Sequence, residues 1–405
     1  MTDHRQHRHL GEVCGAFFAL GLVSFGGPVA HLGYFHTAFV ERRRWLSSAE
    51  YGELVSICQF LPGPASSQVA FALGMHRAGL AGALGASICF LLPSALLMIA
   101  FGLGLGAIPG LAQAGWVRGL GIAAVAIVAH AVGSMAPRLC PDAMRRITAL
   151  IAACIILLVP DEVVPAAWRQ VAVIAIAGVA GAILLRGSVV RRPLGEHSSR
   201  RGRRSAVAAL VCFALLLLLT PALARTSGSP GIIVFDSLYR AGALVFGGGH
   251  VVLPLLRAEL VPAGLISDDA FLAAYGAAQA IPGPLFALAG ALGAMIDLGL
   301  PRWLGGVWAL LAIFLPAWLL VGGALPLWGA IRRHPGAQAA VLGANAAVVG
   351  VLAAALISPV IAEGIRTPAD LAIAAAALVL LVCWKAPPIA VVGACAVAGQ
   401  IAGSL

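Results

Sequence analysis

The sequence Gln59-Phe60-Leu61-Pro62-Gly63-Pro64 interrupts an apolar stretch that extends over residues 51–75. A Pro-Gly-Pro sequence cannot continue a helix, because proline lacks an N–H and displaces the preceding residue from helical dihedral angles. The interruption recurs 220 positions later, as Gln279-Ala280-Ile281-Pro282-Gly283-Pro284 within an apolar stretch over 270–296. Two helix breaks at equivalent places predict an internal duplication in which the breaks serve a function.

The composition is that of a membrane protein. Of the 405 residues, 61% are hydrophobic and only 10% are charged, against about 25% charged in soluble domains. Thirteen apolar segments follow one another, many of them long enough to cross a bilayer core, and their runs of Leu, Ala, Val and Gly lack the alternation of barrel strands. The sequence therefore predicts an all-α polytopic membrane protein.

Further matching motifs extend the duplication. Phe25-Gly26-Gly27-Pro28 corresponds to Phe246-Gly247-Gly248-Gly249, and Pro93 corresponds to Pro316. Six apolar segments, one linking segment and six more account for the thirteen. We predict an N-terminal repeat over 1–185, a basic cytoplasmic linker plus a linking transmembrane helix over 186–230, and a C-terminal repeat over 231–405.

Loop charges predict the orientation of these repeats. The linker over 186–205 is dense in arginine, which places it in the cytoplasm by the positive-inside rule. Counting spans from the linker puts the N-terminus in the cytoplasm and the C-terminus in the periplasm, and it makes the repeats opposite in topology. Inverted repeats with broken helices are typical of secondary transporters.

The path of the first two segments stays open at this stage. If 11–40 and 51–75 are full spans, the basic cluster over 41–45 lies outside; if both are re-entrant hairpins that turn at their Gly and Pro motifs, it lies inside. The positive-inside rule favours hairpins. Breaks at membrane depth must in either case be buried in protein or line a water-filled cavity.

The breaks themselves are the candidate substrate site. The N-terminal end of a broken helix presents unpaired N–H groups and a partial positive charge, which together bind anions. Each break also has a glutamine beside it, and Arg240 is the candidate deep cation; an interhelical hydrogen bond and a snorkelling arginine are the alternative roles. The predicted substrate-binding residues are Phe25, Gly26, Gly27, Pro28, His31, Gln59, Pro62, Gly63, Pro64, Arg240, Gly247, Gly248, Gly249, His250, Gln279, Pro282, Gly283 and Pro284.

Nothing in the sequence predicts an enzyme, a cofactor or a metal site. HExxH, Walker A, GxSxG and paired-carboxylate motifs are absent. A membrane reductase would need a cofactor site or a redox pair of cysteines, and the eight cysteines are scattered singly without CxxC. The net charge of +10 resides in short loops, so it indicates membrane orientation and not nucleic-acid binding.

These motifs resemble those of the chromate ion transporter family in its long, two-domain bacterial form. FGGPVAHLGYFHTAFVERRRWLS followed by CQFLPGPASSQVAFALG is similar to the family's N-terminal half, and FGGGHVVLPLL followed by AQAIPGPLFALAGALG is similar to its C-terminal half. The resemblance covers nearly the whole chain. It implies a bacterial inner-membrane exporter of chromate that confers chromate resistance, with sulfate associated with some relatives. His250 stands where many relatives have an aromatic residue.

We therefore expect secondary active chromate export, driven by the membrane potential or by ion exchange. The alternatives are a sulfate-type oxyanion uptake carrier and a passive anion channel. The expected partners are chromate, with sulfate as the second candidate, the lipid bilayer, and a second copy of the chain in a homodimer.

Overall fold

The computed structural model describes residues 2–25, 27–107, 114–160, 163–164, 166–188, 203–245, 252–331 and 334–404, and these residues form helices and loops without a β-strand. The helices are α1 (Thr2–Val23), α2 (Gly27–His36), α3 (Ser48–Phe60), α4 (Ala65–Ala107), α5 (Gly115–Leu139), α6 (Ala143–Leu158), α7 (Ala166–Leu184), α8 (Arg203–Ser227), α9 (Pro230–Leu244), α10 (Val252–Leu260), α11 (Asp268–Ala280), α12 (Leu288–Met295), α13 (Arg302–Ile331), α14 (Pro335–Ala355), α15 (Ala362–Gly364), α16 (Pro368–Val382) and α17 (Pro388–Ser404).

Within the described part of the chain, five helices are long and apolar enough to cross a membrane. They are α4, α5, α8, α13 and α14, and shorter apolar helices such as α16 and α17 accompany them. Many leucines on α8 are exposed, Leu218 to 72%, as lipid-facing side chains would be. The predicted all-α polytopic membrane protein is confirmed.

The first two predicted segments form hairpins. After the break at Ser24, the chain runs back alongside α1 through α2 and the turn that follows it. At the far end of this hairpin, the Trp45 indole N–H donates to the carboxylate of Glu12 on α1 at 2.9 Å. A second hairpin follows: α3 runs away from Glu12 to the break at Gly63, and the first part of α4 runs back. Arg77 on α4 then pairs with the same Glu12 at 2.8 Å. Both hairpins therefore have their ends beside Glu12 and their tips at a break.

The length of these helices agrees with a hairpin. The 13 residues of α3 rise about 20 Å, which is less than the roughly 30 Å of a bilayer core. The first part of α4 ends at a kink, where Ala78 and Gly79 leave helical geometry. Gly79 has φ +64°, and its counterpart Gly299, between α12 and α13, has φ +69°. The longer part of α4 after the kink is the full span.

The two repeats are inverted relative to each other. Helices α4 and α13 hold equivalent places in the repeats, and they run antiparallel: a Cβ atom at Gly106 would lie 2.7 Å from the Arg302 guanidinium. The opposite end of α13 packs on the beginning of α8, where a Cβ atom at Gly323 would lie 3.0 Å from the Ala206 carbonyl oxygen. The hairpin ends beside Glu12 therefore lie on the side where α8 begins.

Some of the predicted substrate-binding residues lie outside the described residues. They are Gly26, Gly247, Gly248, Gly249 and His250. The predicted boundaries of the two repeats and the linker stay a prediction.

Candidate functional site

The two Pro-Gly-Pro breaks are bonded crosswise to the opposite repeat. The N–H of Gly63 donates to the carbonyl oxygen of Val245 at 2.6 Å, and the N–H of Gly283 donates to that of Ser24 at 2.8 Å. Ser24 and Val245 each directly precede a Phe-Gly-Gly motif. Each Pro-Gly-Pro break is thus bonded to the residue before the Phe-Gly-Gly motif of the other repeat, and we call these two contacts the crosswise pair.

The crosswise pair depends on glycine for two reasons. Gly63 and Gly283 have φ values of +125° and +106°, a range that residues with a Cβ rarely adopt. Space is short as well: a Cβ atom at Gly63 would lie 2.7 Å from the Gln68 amide nitrogen, and one at Gly283 would lie 2.8 Å from Ser94 Oγ. Both predicted glycines are therefore in close contact with neighbouring segments.

The surroundings of the two glycines are equivalent but not identical. Ser94 follows Pro93 within α4, and Ala317 follows Pro316 within α13. Ser94 faces Gly283, whereas Ala317 lies 3.5 Å from the position of a Cβ atom at Gly63. The repeats therefore present a hydroxyl at one crosswise contact and a methyl group at the other.

His31 lies at the tip of the first hairpin and contacts one of the two carbonyl acceptors of the crosswise pair. Its Nε2 is 3.0 Å from the Ser24 carbonyl oxygen, which also accepts the Gly283 N–H. The ring is 1% exposed and meets Phe90 edge to face at 5.4 Å. Nε2 therefore donates to the Ser24 carbonyl, and Nδ1, which then carries the lone pair of the ring, has no hydrogen-bond partner among the described residues.

The predicted glutamines differ from each other. Gln59 is exposed, whereas Gln279 is half-buried and its amide nitrogen has no hydrogen-bond partner in the described part of the chain. A third glutamine, Gln68, is fully buried and donates to the Pro62 carbonyl oxygen at 2.6 Å. Gln68 therefore stabilises the first break, whereas the Gln279 side chain interacts with Tyr275 on the same helix, α11.

Arg240 is held by two carboxylates. Its guanidinium contacts Asp236 at 2.6 Å and Glu259 at 2.6 Å. Thr220 donates a further hydrogen bond to Asp236, and Ser237 donates one to Glu259. The role of Arg240 as a cation for an oxyanion stays a prediction, and an anion that approached it would have to share the guanidinium with these carboxylates.

Sequence reasoning did not identify the acceptors of the crosswise pair or the partners of Arg240. Ser24 and Val245 act through backbone carbonyls, which no residue type reveals. Asp236 precedes Arg240 by four residues on α9, the spacing of a helical ion pair, and this signal could have found it. Glu259 lies on a different helix and gave no such signal.

The remaining predicted residues flank the breaks. Phe25, Pro28, Pro62 and Pro282 are half-buried, and Pro64 and Pro284 are buried. Gly27 has φ +76° at the first residue of α2. Among the described residues, no three His, Cys, Asp or Glu side chains lie close enough together to hold a metal ion. The groups that the site offers are backbone N–H groups, amides and hydroxyls.

The fold and the site define a class: a polytopic membrane protein of two inverted repeats whose broken helices meet across the repeat interface. Such an arrangement is typical of secondary transporters. A family model described as "Chromate transporter" matches residues 11–182 and 232–400. The chain belongs to this chromate transporter family.

Curated relatives agree with the family. The chain is 30% identical to the chromate transport protein of Cupriavidus metallidurans, over 84% of this chain and 80% of the relative. It is 28% identical to the probable chromate transport protein of Synechococcus elongatus, over 88% and 87%. It is 27% identical to the chromate transport protein of Pseudomonas aeruginosa, over 92% and 87%. No solved structure matches the chain significantly.

Proposed function

We propose that this protein is a secondary active exporter of chromate in the bacterial inner membrane, and that it confers chromate resistance. The crosswise pair carries the proposal. The breaks of each repeat contact those of the other through Gly63 and Gly283, so they form the interface on which the repeats would move. Relatives named as chromate transport proteins support the choice of substrate.

The crosswise pair suits a carrier that alternates between two states. Each contact is a single backbone hydrogen bond, worth about 0.5–1.5 kcal/mol net. Breaking one of these two hydrogen bonds while the other stays intact therefore costs little free energy compared with the total that stabilises the fold. Since the repeats are inverted, opening at one contact faces one side of the membrane and opening at the other faces the opposite side.

The membrane potential alone can drive this export. Moving one charge through about 100 mV is worth about 2.3 kcal/mol, so export of a dianion from an inside-negative cell gains about 4.6 kcal/mol. Neither ATP hydrolysis nor a redox step is required by this mechanism. Exchange for protons or another anion would add to the driving force.

The proposed sidedness puts the N-terminus and the linker in the cytoplasm and the C-terminus in the periplasm. The hairpin ends beside Glu12 carry the basic residues over 42–44 and lie on the side where α8 begins. Grouping these arginines with the basic linker agrees with the positive-inside rule.

Flux into everted membrane vesicles tests the function, with the membrane potential and the pH gradient imposed separately. We expect labelled chromate to accumulate when the potential is imposed and sulfate to inhibit only weakly. Strong inhibition by sulfate, or flux in the uptake direction, would instead favour the sulfate-type carrier. Counterflow of labelled chromate against excess unlabelled chromate separates a carrier from a passive channel, which shows none.

A second experiment tests the alternative that the protein is an enzyme that reduces chromate through its cysteines. All eight cysteines are free in the structure, and Cys58 is buried. Replacing all eight should leave chromate flux intact, and loss of chromate by reduction in the wild type but not in this variant would support an enzyme instead.

A further inference from the structure

The helices that follow the two Pro-Gly-Pro breaks differ at their first turns. After the first break, α4 begins directly at Ala65 and stays helical up to the kink at Ala78. After the second break comes a three-residue 3-10 turn over 285–287, and only then the eight-residue α12. The spacing of 220 residues that relates the breaks pairs Ser67 with Ala287.

The backbone donors at this pair of positions are not equivalent. The first helical hydrogen bond of α4 is donated by Gln68 to the Pro64 carbonyl at 2.9 Å, and the N–H of Ser67 has no acceptor among the described residues. At the second break, the N–H of Ala287 donates to the Pro284 carbonyl at 2.9 Å. The first break therefore keeps an N–H group for a ligand that the second break has used.

The side chains differ in the same sense. Ser67 is only 3% exposed, and its hydroxyl has no hydrogen-bond partner in the described part of the chain. Helical Cα–Cβ bonds tilt toward the helix N-terminus, so this hydroxyl is directed to the end of α4 that carries the unpaired N–H groups. A buried hydroxyl without a partner is unfavourable, and an oxyanion bound at this end of α4 would supply the missing acceptor. Ala287 has no such group.

We propose that the oxyanion binds at the N-terminal end of α4, held by the N–H groups over 65–67 and by the Ser67 hydroxyl. The second break then supports the interface and does not bind the anion. A tetrahedral oxyanion accepts several hydrogen bonds at once, and a helix N-terminus adds a favourable partial charge. This assignment rests on the proposed function, because it names the half of the site that binds the substrate.

The test compares the two equivalent positions. Equilibrium dialysis with labelled chromate on the purified protein gives the Kd for the wild type, Ser67→Ala and the matched control Ala287→Ser. Loss of a hydrogen bond to a charged group should raise the Kd of Ser67→Ala about tenfold to a hundredfold, whereas Ala287→Ser should stay within about twofold of the wild type. The thermal midpoint without chromate should not fall in Ser67→Ala, because the hydroxyl has no protein partner there.

The possible outcomes are distinct. An unchanged Kd in Ser67→Ala, or equal losses in both variants, would overturn the assignment while leaving chromate transport in place. A wild type that binds no chromate would contradict the proposed function itself. If Ser67→Ala does not fold, Ser67→Cys keeps a weaker donor in nearly the same volume, and an intermediate rise in Kd supports the proposal, whereas a wild-type Kd refutes it.

Discussion

Replacing Gly283 by alanine tests whether the close approach at the crosswise pair is what requires glycine. Two costs add. A φ of +106° strains a residue with a Cβ by about 1–3 kcal/mol. The new Cβ atom would lie 2.8 Å from Ser94 Oγ and 3.1 Å from Ser94 Cβ, and such overpacking costs about 1–3 kcal/mol. We expect Gly283→Ala to lower the free energy of unfolding by about 2–6 kcal/mol.

Two other glycines separate these costs. Gly79 has φ +64° and ψ −155°, with nothing within 4 Å of a Cβ position, so Gly79→Ala should show the backbone strain alone, about 1–3 kcal/mol. Gly63→Ala should be intermediate, because its nearest neighbour is the end of the Gln68 side chain, which can shift only by weakening its hydrogen bond to Pro62. The expected order of destabilisation is therefore Gly283, then Gly63, then Gly79.

A second substitution should relieve the contact specifically. Ser94→Gly removes both atoms that an alanine at position 283 would meet, although glycine in a helix costs about 1 kcal/mol by itself. A double-mutant cycle of Gly283→Ala and Ser94→Gly corrects for this cost. We expect a favourable coupling of about 1–3 kcal/mol, the size of the overpacking that is removed.

The assay is unfolding in mixed micelles with a rising fraction of denaturing detergent, followed by the fluorescence of the eight tryptophans. If Gly79→Ala is as destabilising as Gly283→Ala, strain alone explains the loss, and the close approach to Ser94 is refuted as its cause. A double-mutant cycle without coupling would refute it as well.

Three further predictions concern the site and the topology. Gly63→Leu or Gly283→Leu should abolish chromate flux while the protein still reaches the membrane; normal flux would refute a role of the crosswise pair in transport. Arg240→Gln leaves Asp236 and Glu259 without their arginine, so it should destabilise the protein by about 3–5 kcal/mol. It should also weaken chromate binding more than Arg118→Gln, which removes the guanidinium that pairs with Asp370 at 2.6 Å; equal small effects on binding would make Arg240 an anchor only. A cysteine in place of Ser48, in a background without other cysteines, should resist an impermeant thiol reagent added from outside, and labelling there would favour full spans over hairpins.

Much of the fold could be predicted because its causes are local. A proline has the same effect on a helix in any context, so the breaks at 62–64 and 282–284 were visible in the sequence. Loop charges are equally local, and they predicted the inverted repeats that the antiparallel α4 and α13 display. The same charges only favoured hairpins for the first two segments. The contacts of Glu12 with Trp45 and Arg77 decided that point, across 33 and 65 residues of sequence.

The location of the candidate site could be predicted from the sequence, but the contacts within it could not. The breaks were recognised, but the crosswise pair joins Gly63 to Val245 and Gly283 to Ser24 through carbonyl oxygens that every residue possesses. The partners of Arg240 show the same limit: Asp236 is four residues away on one helix, whereas Glu259 comes from another helix.

Local sequence patterns are enough to predict a helical membrane protein of two inverted repeats, each broken at a Pro-Gly-Pro motif, because proline geometry, segment length and loop charge act within a few residues. Which groups at the breaks are already paired, and which are not, follows instead from the packing of the two repeats against each other. That distinction depends on atoms brought together from opposite repeats, and it separates Ser67, with its unpaired N–H and hydroxyl, from the equivalent Ala287.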